Sequence, residues 1–328
     1  AQGQVPDEFD MFTADADGEG FWSLFVDLFS GDVITVKVTS GGATSEQSDC
    51  FELGGNAQPG PDFEVNSTSD HDDGSCDVFD EVFDCTLIEA INAANGDFGP
   101  STIEFNELSP GDVISLESSL PLITDDLVVD ATALNAGSCD PAINLDGFDG
   151  GAGLEVDTGG DGLVTLRGLA LVNFAGPGLT LNSGSGLVEC SSFGVDSFGT
   201  AGGNDQGIRV MGDDITVQSS ELAYNLNSGI VVTSEAALRT GQIGGTGPGE
   251  GNSIHDNGAF GISIIDNADI VVQRNSMFGN GFGGLDINVP AFPPPTIDFT
   301  DGGDADGSVS GLAPFASFDI EIHVDSSC

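Results

Sequence analysis

The chain has 328 residues, of which 54 are acidic and 5 are basic, so its formal net charge is −49. This charge argues against nucleic acids, anionic membrane surfaces and polyanionic substrates as partners, because phosphate binding requires clustered lysines and arginines. Hydrophobic residues make up 39% of the chain, and no apolar stretch approaches the roughly 20 residues of a membrane-spanning helix. The composition predicts a folded, very acidic protein without a membrane span.

Residues 9–53 contain two predicted strands that do not follow the period of the later repeats. They cover residues 21–28 and 32–39, and the second alternates apolar and polar side chains through Val36 and Val38. Such alternation is typical of a half-buried antiparallel strand. Because a β-sandwich needs more strands than these, the segment predicts only part of a domain.

A short helix is predicted at residues 86–95. Thr86 followed by Glu89 has the spacing of a capping box, and Leu87, Ile88 and Ile91 would share one helix face. Since a solenoid must cover its open end, we expect this amphipathic helix to cap the first coil of the repeats that follow.

A glycine–apolar–any–apolar tetrad recurs through the middle of the chain. Successive copies are separated by 25, 29, 22, 32 and 23 residues, with further short strands between them. Three short strands per period predict a right-handed parallel β-helix. We expect the glycines to adopt positive φ at tight corners. The copies begin at Gly153, Gly178, Gly207, Gly229, Gly261 and Gly284.

Asparagines and insertions mark the predicted corners of the coils. We expect the corner asparagines to form a hydrogen-bonded ladder inside the turns. They are Asn173, Asn182, Asn225, Asn257 and Asn280. The insertions at residues 192–204 and 240–252 are predicted to be loops on one face, where a binding surface would lie.

Two further strands are predicted near the C-terminal end, at residues 308–311 and 318–324. The second alternates apolar and polar side chains through Phe318, Ile320 and Ile322. Like residues 9–53, this segment is too small to form a sandwich alone.

The start of the repeats resembles the CSLREA-type domain, which begins β-helices in secreted and surface proteins of bacteria and some archaea. Ile88 stands where that family usually has an arginine, so any role of the arginine is missing here. The resemblance implies a β-helix and an extracellular setting, and it implies no single activity. The matching runs are Val65-Asn66-Ser67-Thr68, Asp72-Asp73-Gly74, Cys76, residues 85–95, Thr102-Ile103-Glu104-Phe105-Asn106, Ile243-Gly244-Gly245-Thr246, Gly251-Asn252-Ser253-Ile254 and Asn280-Gly281.

Joined in the order 301–328 then 1–53, the two terminal segments resemble one immunoglobulin-like β-sandwich, with Cys328 and Cys50 at its cysteine positions. Coils stack at about 4.8 Å, so half a dozen coils would separate the segments by roughly 30 Å. We therefore expect a neighbouring copy to complete the sandwich, and a head-to-tail contact that does not close yields an open filament. The expected interface residues are Trp22, Val36, Val38, Phe318, Ile320 and Ile322.

The predicted fold class is all-β, a parallel β-helix plus a split immunoglobulin-like sandwich. Residues 1–55 form the second part of the sandwich, 56–62 a linker, 63–292 the β-helix with its capping helix near 86–95, 293–307 a linker, and 308–328 the first part of the sandwich. Copies could be joined by a peptide bond, by disulfides or noncovalently. The alternative is a truncated chain with two incomplete halves.

Six widely spaced cysteines predict disulfides and an extracellular or cell-surface protein, since such bonds persist in oxidising compartments. No C-x-x-C pair is present, which argues against zinc. Cys76 and Cys85 close a short loop and are the first expected pair, and the connectivity of the others stays open. Those are Cys50, Cys139, Cys190 and Cys328.

Acidic turns supply weak candidate ligands for calcium, and no cofactor is required. None of the turns completes an EF-hand, so solvated turns are the favoured interpretation. The residues are Asp15, Asp17, Asp72, Asp73, Asp304 and Asp306.

The predicted function is that of a non-enzymatic structural subunit of an extracellular filament, with a second copy of itself as partner and glycans or a cell surface as further partners. The alternative is a secreted polysaccharide lyase or hydrolase, or a glycan-binding adhesin. Hydrolysis requires paired carboxylates, but acidic residues are too common here to discriminate. The carboxylates considered are Asp196, Asp213, Asp214 and Asp266. The arginines, interpreted as salt-bridge partners, are Arg167, Arg209, Arg239 and Arg274.

Overall fold

The computed structural model describes residues 62–288, with gaps at 75, 77–83, 98–99, 148–150, 161, 213, 234–238 and 266–267, and a few short strands on either side. The chain divides into two compact units, Ala1–Gly60 and Pro61–Cys328. In the first unit, β1 pairs antiparallel with β4, and β2 pairs antiparallel with β3. These strands are β1 (Val33–Ile34), β2 (Thr39–Ser40), β3 (Ala43–Thr44) and β4 (Phe51–Glu52).

The second unit contains short strands, helix α1 (Leu87–Gly96) and a 3-10 helix at Thr132–Asn135. In chain order its strands are β5 (Phe63–Val65), β6 (Ser101–Phe105), β7 (Val113–Ser115), β8 (Leu127–Asp130), β9 (Ile143–Asp146), β10 (Leu154–Asp157), β11 (Leu163–Arg167), β12 (Leu169–Val172), β13 (Leu179–Ser183), β14 (Ser185–Glu189), β15 (Ser192–Phe193), β16 (Ile208–Val210), β17 (Asp214–Gln218), β18 (Glu221–Ala223), β19 (Ile230–Thr233), β20 (Arg239–Ile243), β21 (Ser253–His255), β22 (Phe260–Ile265), β23 (Ala268–Val272), β24 (Ser276–Phe278), β25 (Gly283–Asn288), β26 (Thr296–Phe299) and β27 (Ala305–Ser308). The last two form an antiparallel pair.

Strands β5 to β25 form a parallel β-solenoid of about seven turns, which confirms the predicted parallel β-helix. The first sheet stacks β5, β6, β8, β11, β14, β17, β20 and β23. The second stacks β7, β9, β12, β15, β18, β21 and β24, and the third stacks β10, β13, β16, β19, β22 and β25. From β8 onward, each coil contributes one strand to each sheet in turn.

The core of the β-helix is a set of stacked aliphatic columns. In the first sheet, strand register places one buried side chain from each coil directly above the last. Burying each such side chain contributes about 1.5–3 kcal/mol. This column consists of Ile103, Val129, Leu166, Val188, Val217 and Ile243, all buried.

The glycines that begin the tetrads are required by close stacking of coils, and the expected positive φ was wrong. A Cβ on Gly229 would lie 2.7 Å from the carbonyl oxygen of Gly261, and one on Gly261 would lie 2.6 Å from that of Gly284. None of the tetrad glycines has positive φ. Left-handed non-glycine residues occur at other corners, directly after strands of the first sheet, including Cys190 and Ser219, and directly after strands of the second sheet, including Asn173 and Tyr224.

The predicted asparagine ladder is present, and Asn204 extends it at its N-terminal end. Asn225 donates from Nδ2 to Oδ1 of Asn257 at 2.9 Å, and Asn257 does the same to Asn280 at 2.9 Å. Two expected members do not join the ladder: Nδ2 of Asn173 donates to Asp146 at 3.0 Å, and Asn182 on β13 makes no ladder bond among the described residues. The ladder satisfies polar groups that the turns bury between coils.

Helix α1 begins with the predicted capping box, in which Thr86 accepts from the backbone of Glu89 and Glu89 accepts from the backbone of Thr86. Its apolar face is buried through Leu87 and Ile91, and it packs against β5 and β6 at the N-terminal end of the solenoid. The chain before it is fixed by the disulfide Cys76–Cys85. Among the described residues, no helix is long and apolar enough to cross a bilayer.

Candidate functional sites: an exposed terminal coil and a polar groove

The last described coil exposes positions that are core in the coil before it. In β25, Leu285 and Ile287 pair in register with Ile262 and Ile264 of β22. The β22 pair is buried, whereas Leu285 is 41% and Ile287 is 45% exposed. The same end of the solenoid also exposes Val271, Phe278 and Phe282.

The hydrogen-bonded asparagine ladder ends in the same coil as the apolar columns. The backbone N–H of Asn257 donates to Oδ1 of Asn280 at 3.1 Å. Within the described part of the chain, no further asparagine follows Asn280 in the ladder, and no strand stacks on β23, β24 or β25. Among the described residues, the last coil therefore combines unpaired strand edges with exposed apolar side chains, whereas α1 covers the opposite end.

A cavity of about 400 Å³ opens on the outer face of the second sheet. It lies where the insertion 192–204 was predicted to form a surface loop, and that loop supplies one of its walls. Residues from separate coils line it, including Ser138, Asp140, Ser192, Asp196, Phe198 and Glu221. We call this cavity the groove.

Both walls of the groove are fixed to the β-helix. The wall at residues 135–141 is anchored by the disulfide Cys139–Cys190. The wall at residues 196–200 is held by the buried Asn144, which donates to Oγ of Ser197 at 2.9 Å and accepts from its backbone N–H at 2.8 Å. Two anchored walls over a stacked sheet make the groove a preformed site.

Phe198 projects from the second wall and is 74% exposed. A Cβ on Gly111 would collide with its ring, so the glycine lets the tip of the ring approach the backbone of an earlier coil. Apolar side chains are usually buried, and this aromatic ring instead faces solvent beside polar groups.

Three carboxylates line the groove, and the protein holds one oxygen of each. Asp140 accepts from Oγ of Ser138 at 2.7 Å, and Glu221 lies 2.9 Å from Nε2 of His255. Asp196 accepts at one oxygen from the backbone N–H of Phe198 at 2.9 Å and of Thr200 at 2.7 Å. Among the described residues, the second oxygen of each carboxylate has no protein hydrogen bond and stays available to a ligand.

His255 joins the groove to a neighbouring aromatic cluster that sequence reasoning missed. Its Nδ1 lies 2.9 Å from Asp256, and its ring stacks on Phe278 with centroids 4.7 Å apart. Tyr224 meets the same ring edge-on at 5.7 Å. The register of β21 on β24, which pairs His255 with Phe278, is the signal that would have found this cluster.

The predicted calcium ligands near the helix are engaged within the protein. Asp72 accepts from Gly74 at 2.8 Å and from Asn92 at 3.0 Å. His71, Asp73 and Glu89 bring potential ligand atoms within 4.8 Å of one another. Glu89, however, accepts from the backbone N–H of Thr86 at 2.7 Å and of Asp73 at 2.8 Å, which assigns it a structural role.

Other predicted residues lie outside the residues whose side chains the structure describes. These are the calcium candidates Asp15, Asp17, Asp304 and Asp306, the interface candidates Trp22, Val36, Val38, Phe318, Ile320 and Ile322, the carboxylates Asp213 and Asp266, and the cysteines Cys50 and Cys328.

The outer face of the first sheet carries a line of charged residues. Arg167 lies between Asp130 at 3.4 Å and Glu189 at 3.1 Å, so this arginine is a salt-bridge partner as expected. Two coils earlier, Glu104 stands between Asp130 and Glu64. Burial first, and then repulsion from Asp130 and Glu64, raises the pKa of Glu104 above its ordinary value.

Comparisons with known proteins add no family to this description. No family model matches the chain, and no curated protein is significantly similar to it. The resemblance to the CSLREA-type domain therefore stays a prediction, and function has to be argued from the surfaces of the β-helix.

Proposed function

We propose that the chain is a non-enzymatic structural subunit of an extracellular filament whose copies join head to tail. The observation that carries this proposal is the terminal coil, where core positions such as Leu285 and Ile287 are exposed. In a solenoid each coil buries its apolar face only against its neighbours, so the last described coil, which no other described residue covers, forms an incomplete interface.

Asymmetry between the ends favours a head-to-tail contact over a symmetric pair. Helix α1 covers the first coil, and the last coil presents apolar side chains and strand edges. A contact between two different surfaces is heterologous and propagates when it does not close into a ring. Covering the two half-exposed core side chains Leu285 and Ile287 would by itself contribute on the order of 2 kcal/mol.

In the finer form of the proposal, the neighbour covers this end by completing a sandwich. Residues 308–328 of one copy would supply its first part, and residues 1–55 of the next copy its second part. Strand addition of this kind also removes exposed sheet edges that would otherwise aggregate. Right-handed winding of the β-helix belongs to this proposal as well, because crossovers between parallel strands are overwhelmingly right-handed.

The two disulfides support the extracellular setting. The bonds Cys76–Cys85 and Cys139–Cys190 suit an oxidising compartment. Cys50 and Cys328 are proposed to link the two parts of the sandwich. Denaturing electrophoresis would then show a ladder of multimers that collapses on reduction to the 33.3 kDa subunit.

The filament proposal is tested by combining Leu285→Asp with Ile287→Asp in the full-length chain. We expect electron microscopy to show filaments of the unaltered protein, and we expect the double variant to sediment as a 33.3 kDa monomer. Leu163→Asp is the control, because Leu163 is 47% exposed on β11, in the middle of the β-helix. Filaments that persist in the double variant, or an unaltered protein that stays monomeric, would contradict the proposal.

A further inference from the structure

We infer that the groove on the second sheet binds a neutral oligosaccharide. This inference is independent of the filament proposal, because every residue that carries it lies in one face of a single β-helix. The volume of the groove, about 400 Å³, falls within the range of small-molecule sites. A site of that size accommodates a few sugar rings.

The chemistry of the lining matches the two kinds of surface that a pyranose presents. The ring carbons of a sugar form apolar C–H faces, and Phe198 offers an exposed aromatic face that attracts such hydrogens. Sugar hydroxyls are hydrogen-bond donors, and Asp140, Asp196 and Glu221 each present an oxygen without a partner among the described residues. Carboxylates accept such bonds more strongly than neutral groups do.

The carboxylates are oriented before a ligand arrives. Ser138 holds Asp140, two backbone N–H groups hold Asp196, and His255 holds Glu221. Fixing these side chains in advance lowers the entropic cost of binding. Phe198 is likewise carried by a wall that Asn144 ties down.

Charge selects neutral ligands over acidic ones. The lining contains three carboxylates and no lysine or arginine, and the chain as a whole carries a net charge of −49. A uronic acid chain would meet repulsion in the groove with no cation to neutralise its carboxylates. The expected ligand class is therefore a glycan of uncharged hexoses, pentoses or N-acetylhexosamines.

The inference is tested by calorimetric titration of the disulfide-intact, full-length protein with cellotetraose, xylotetraose, mannotetraose and chitotetraose, and with tetragalacturonate as the acidic probe. We expect at least one neutral probe to bind and the acidic probe to give no heat of binding. Phe198→Ala should weaken binding about tenfold. The loss of the aromatic contact and of its buried area lowers the binding free energy by about 1.4 kcal/mol, which corresponds to that factor.

A matched control separates the groove from general surface effects. Leu226 is 70% exposed, close to the 74% of Phe198, and does not line the groove. Leu226→Ala should bind the neutral probe as the unaltered chain does, while Glu221→Gln should weaken binding severalfold. Circular dichroism melting curves check that all variants are folded.

Three results would each overturn the inference. The first is that no neutral probe binds, and the second is that tetragalacturonate binds as well as the neutral probes. The third is that Phe198→Ala, with an unchanged melting temperature, binds as tightly as Leu226→Ala. Release of shorter sugars from a bound probe would instead show hydrolysis and would contradict the non-enzymatic part of the proposed function.

Discussion

Replacing Asn257 with alanine tests whether the asparagine ladder holds the coils together. Asn257 is buried, and its side chain makes hydrogen bonds to two neighbouring coils. Its Oδ1 accepts from the backbone N–H of Asn225 at 3.1 Å and from Nδ2 of Asn225 at 2.9 Å. Its Nδ2 donates to Leu222 O at 2.9 Å and to Asn280 Oδ1 at 2.9 Å.

The expected loss of stability follows from counting which hydrogen-bond partners of the Asn257 side chain have no other hydrogen bond. Nδ2 of Asn225 still donates to the carbonyl of Phe193, and Oδ1 of Asn280 still accepts from the backbone of residue 257. The backbone N–H of Asn225 loses the partner that the ladder gave it, whereas the carbonyl of Leu222 lies in β18, which stays paired with β21. One buried N–H without a partner costs about 1–3 kcal/mol and the other lost side-chain bonds about 1 kcal/mol net, so we expect a loss of about 2–4 kcal/mol in the free energy of unfolding.

Urea unfolding followed by circular dichroism measures this loss. Asn227→Ala is the matched control, because Asn227 is an exposed asparagine whose Nδ2 donates only to Asp205 at 2.6 Å. We expect the control to cost less than about 1 kcal/mol, as exposed substitutions usually do. Equal losses in the two variants would refute the idea that the ladder, rather than local turn preference, stabilises these corners.

Two further predictions concern charge and covalent linkage. Because the pKa of Glu104 is raised in the folded state, the folded protein holds this proton more tightly than the unfolded chain does, so its contribution to stability improves as pH falls toward 4.5. Glu104→Gln should raise the unfolding midpoint at pH 7 and leave it nearly unchanged near pH 4, and a lower midpoint at pH 7 would contradict the assigned cause. Replacing Cys139 and Cys190 with serine opens a link across 51 residues and should lower stability by up to about 4 kcal/mol in the chain-entropy account. The double serine variant should also loosen the groove wall at residues 135–141. An unchanged urea midpoint would show that other contacts fix this wall.

The coil architecture could be predicted from the sequence because its physical cause is local. Each tetrad places two apolar residues two positions apart, which is the period that directs both side chains to one face of a strand. The tetrads that begin at Gly153, Gly178 and Gly207 form strands β10, β13 and β16, and equivalent residues of these tetrads pair with one another. The capping box of α1 was visible for the same reason, since Thr86 and Glu89 are three residues apart.

The reason for the tetrad glycines could not be predicted, because it depends on the next coil. A corner glycine is equally consistent with positive φ and with a close neighbour, and the sequence does not show the distance from Gly229 to the Gly261 carbonyl. The pairing Cys139–Cys190 could not be predicted for the same reason. Both cysteines lie in turns between strands of the first and second sheets, and only the coil register shows that these turns share an edge.

The groove is the least predictable feature, because residues from four separate coils meet in it. Gly111, Asp140, Phe198 and Glu221 are far apart in sequence, and no motif links them. The insertion 192–204 indicated where a surface loop would form. It did not indicate that Asn144 would fold the loop back along the second sheet toward earlier coils.

The positions of the two surfaces within the β-helix make the two proposals compatible. A head-to-tail joint would use the terminal coil around β25, whereas the groove lies on the lateral face of the second sheet between β7 and β18. Polymerisation through the end would therefore leave every groove accessible and repeat it once per subunit along the filament. Once one groove has bound a long glycan, the neighbouring grooves meet the same chain at a high effective concentration. A filament would therefore bind a long glycan far more tightly than a single subunit does. The terminal variant with Leu285→Asp and Ile287→Asp should then keep the affinity of one groove for a tetrasaccharide while losing the avidity for a polymer.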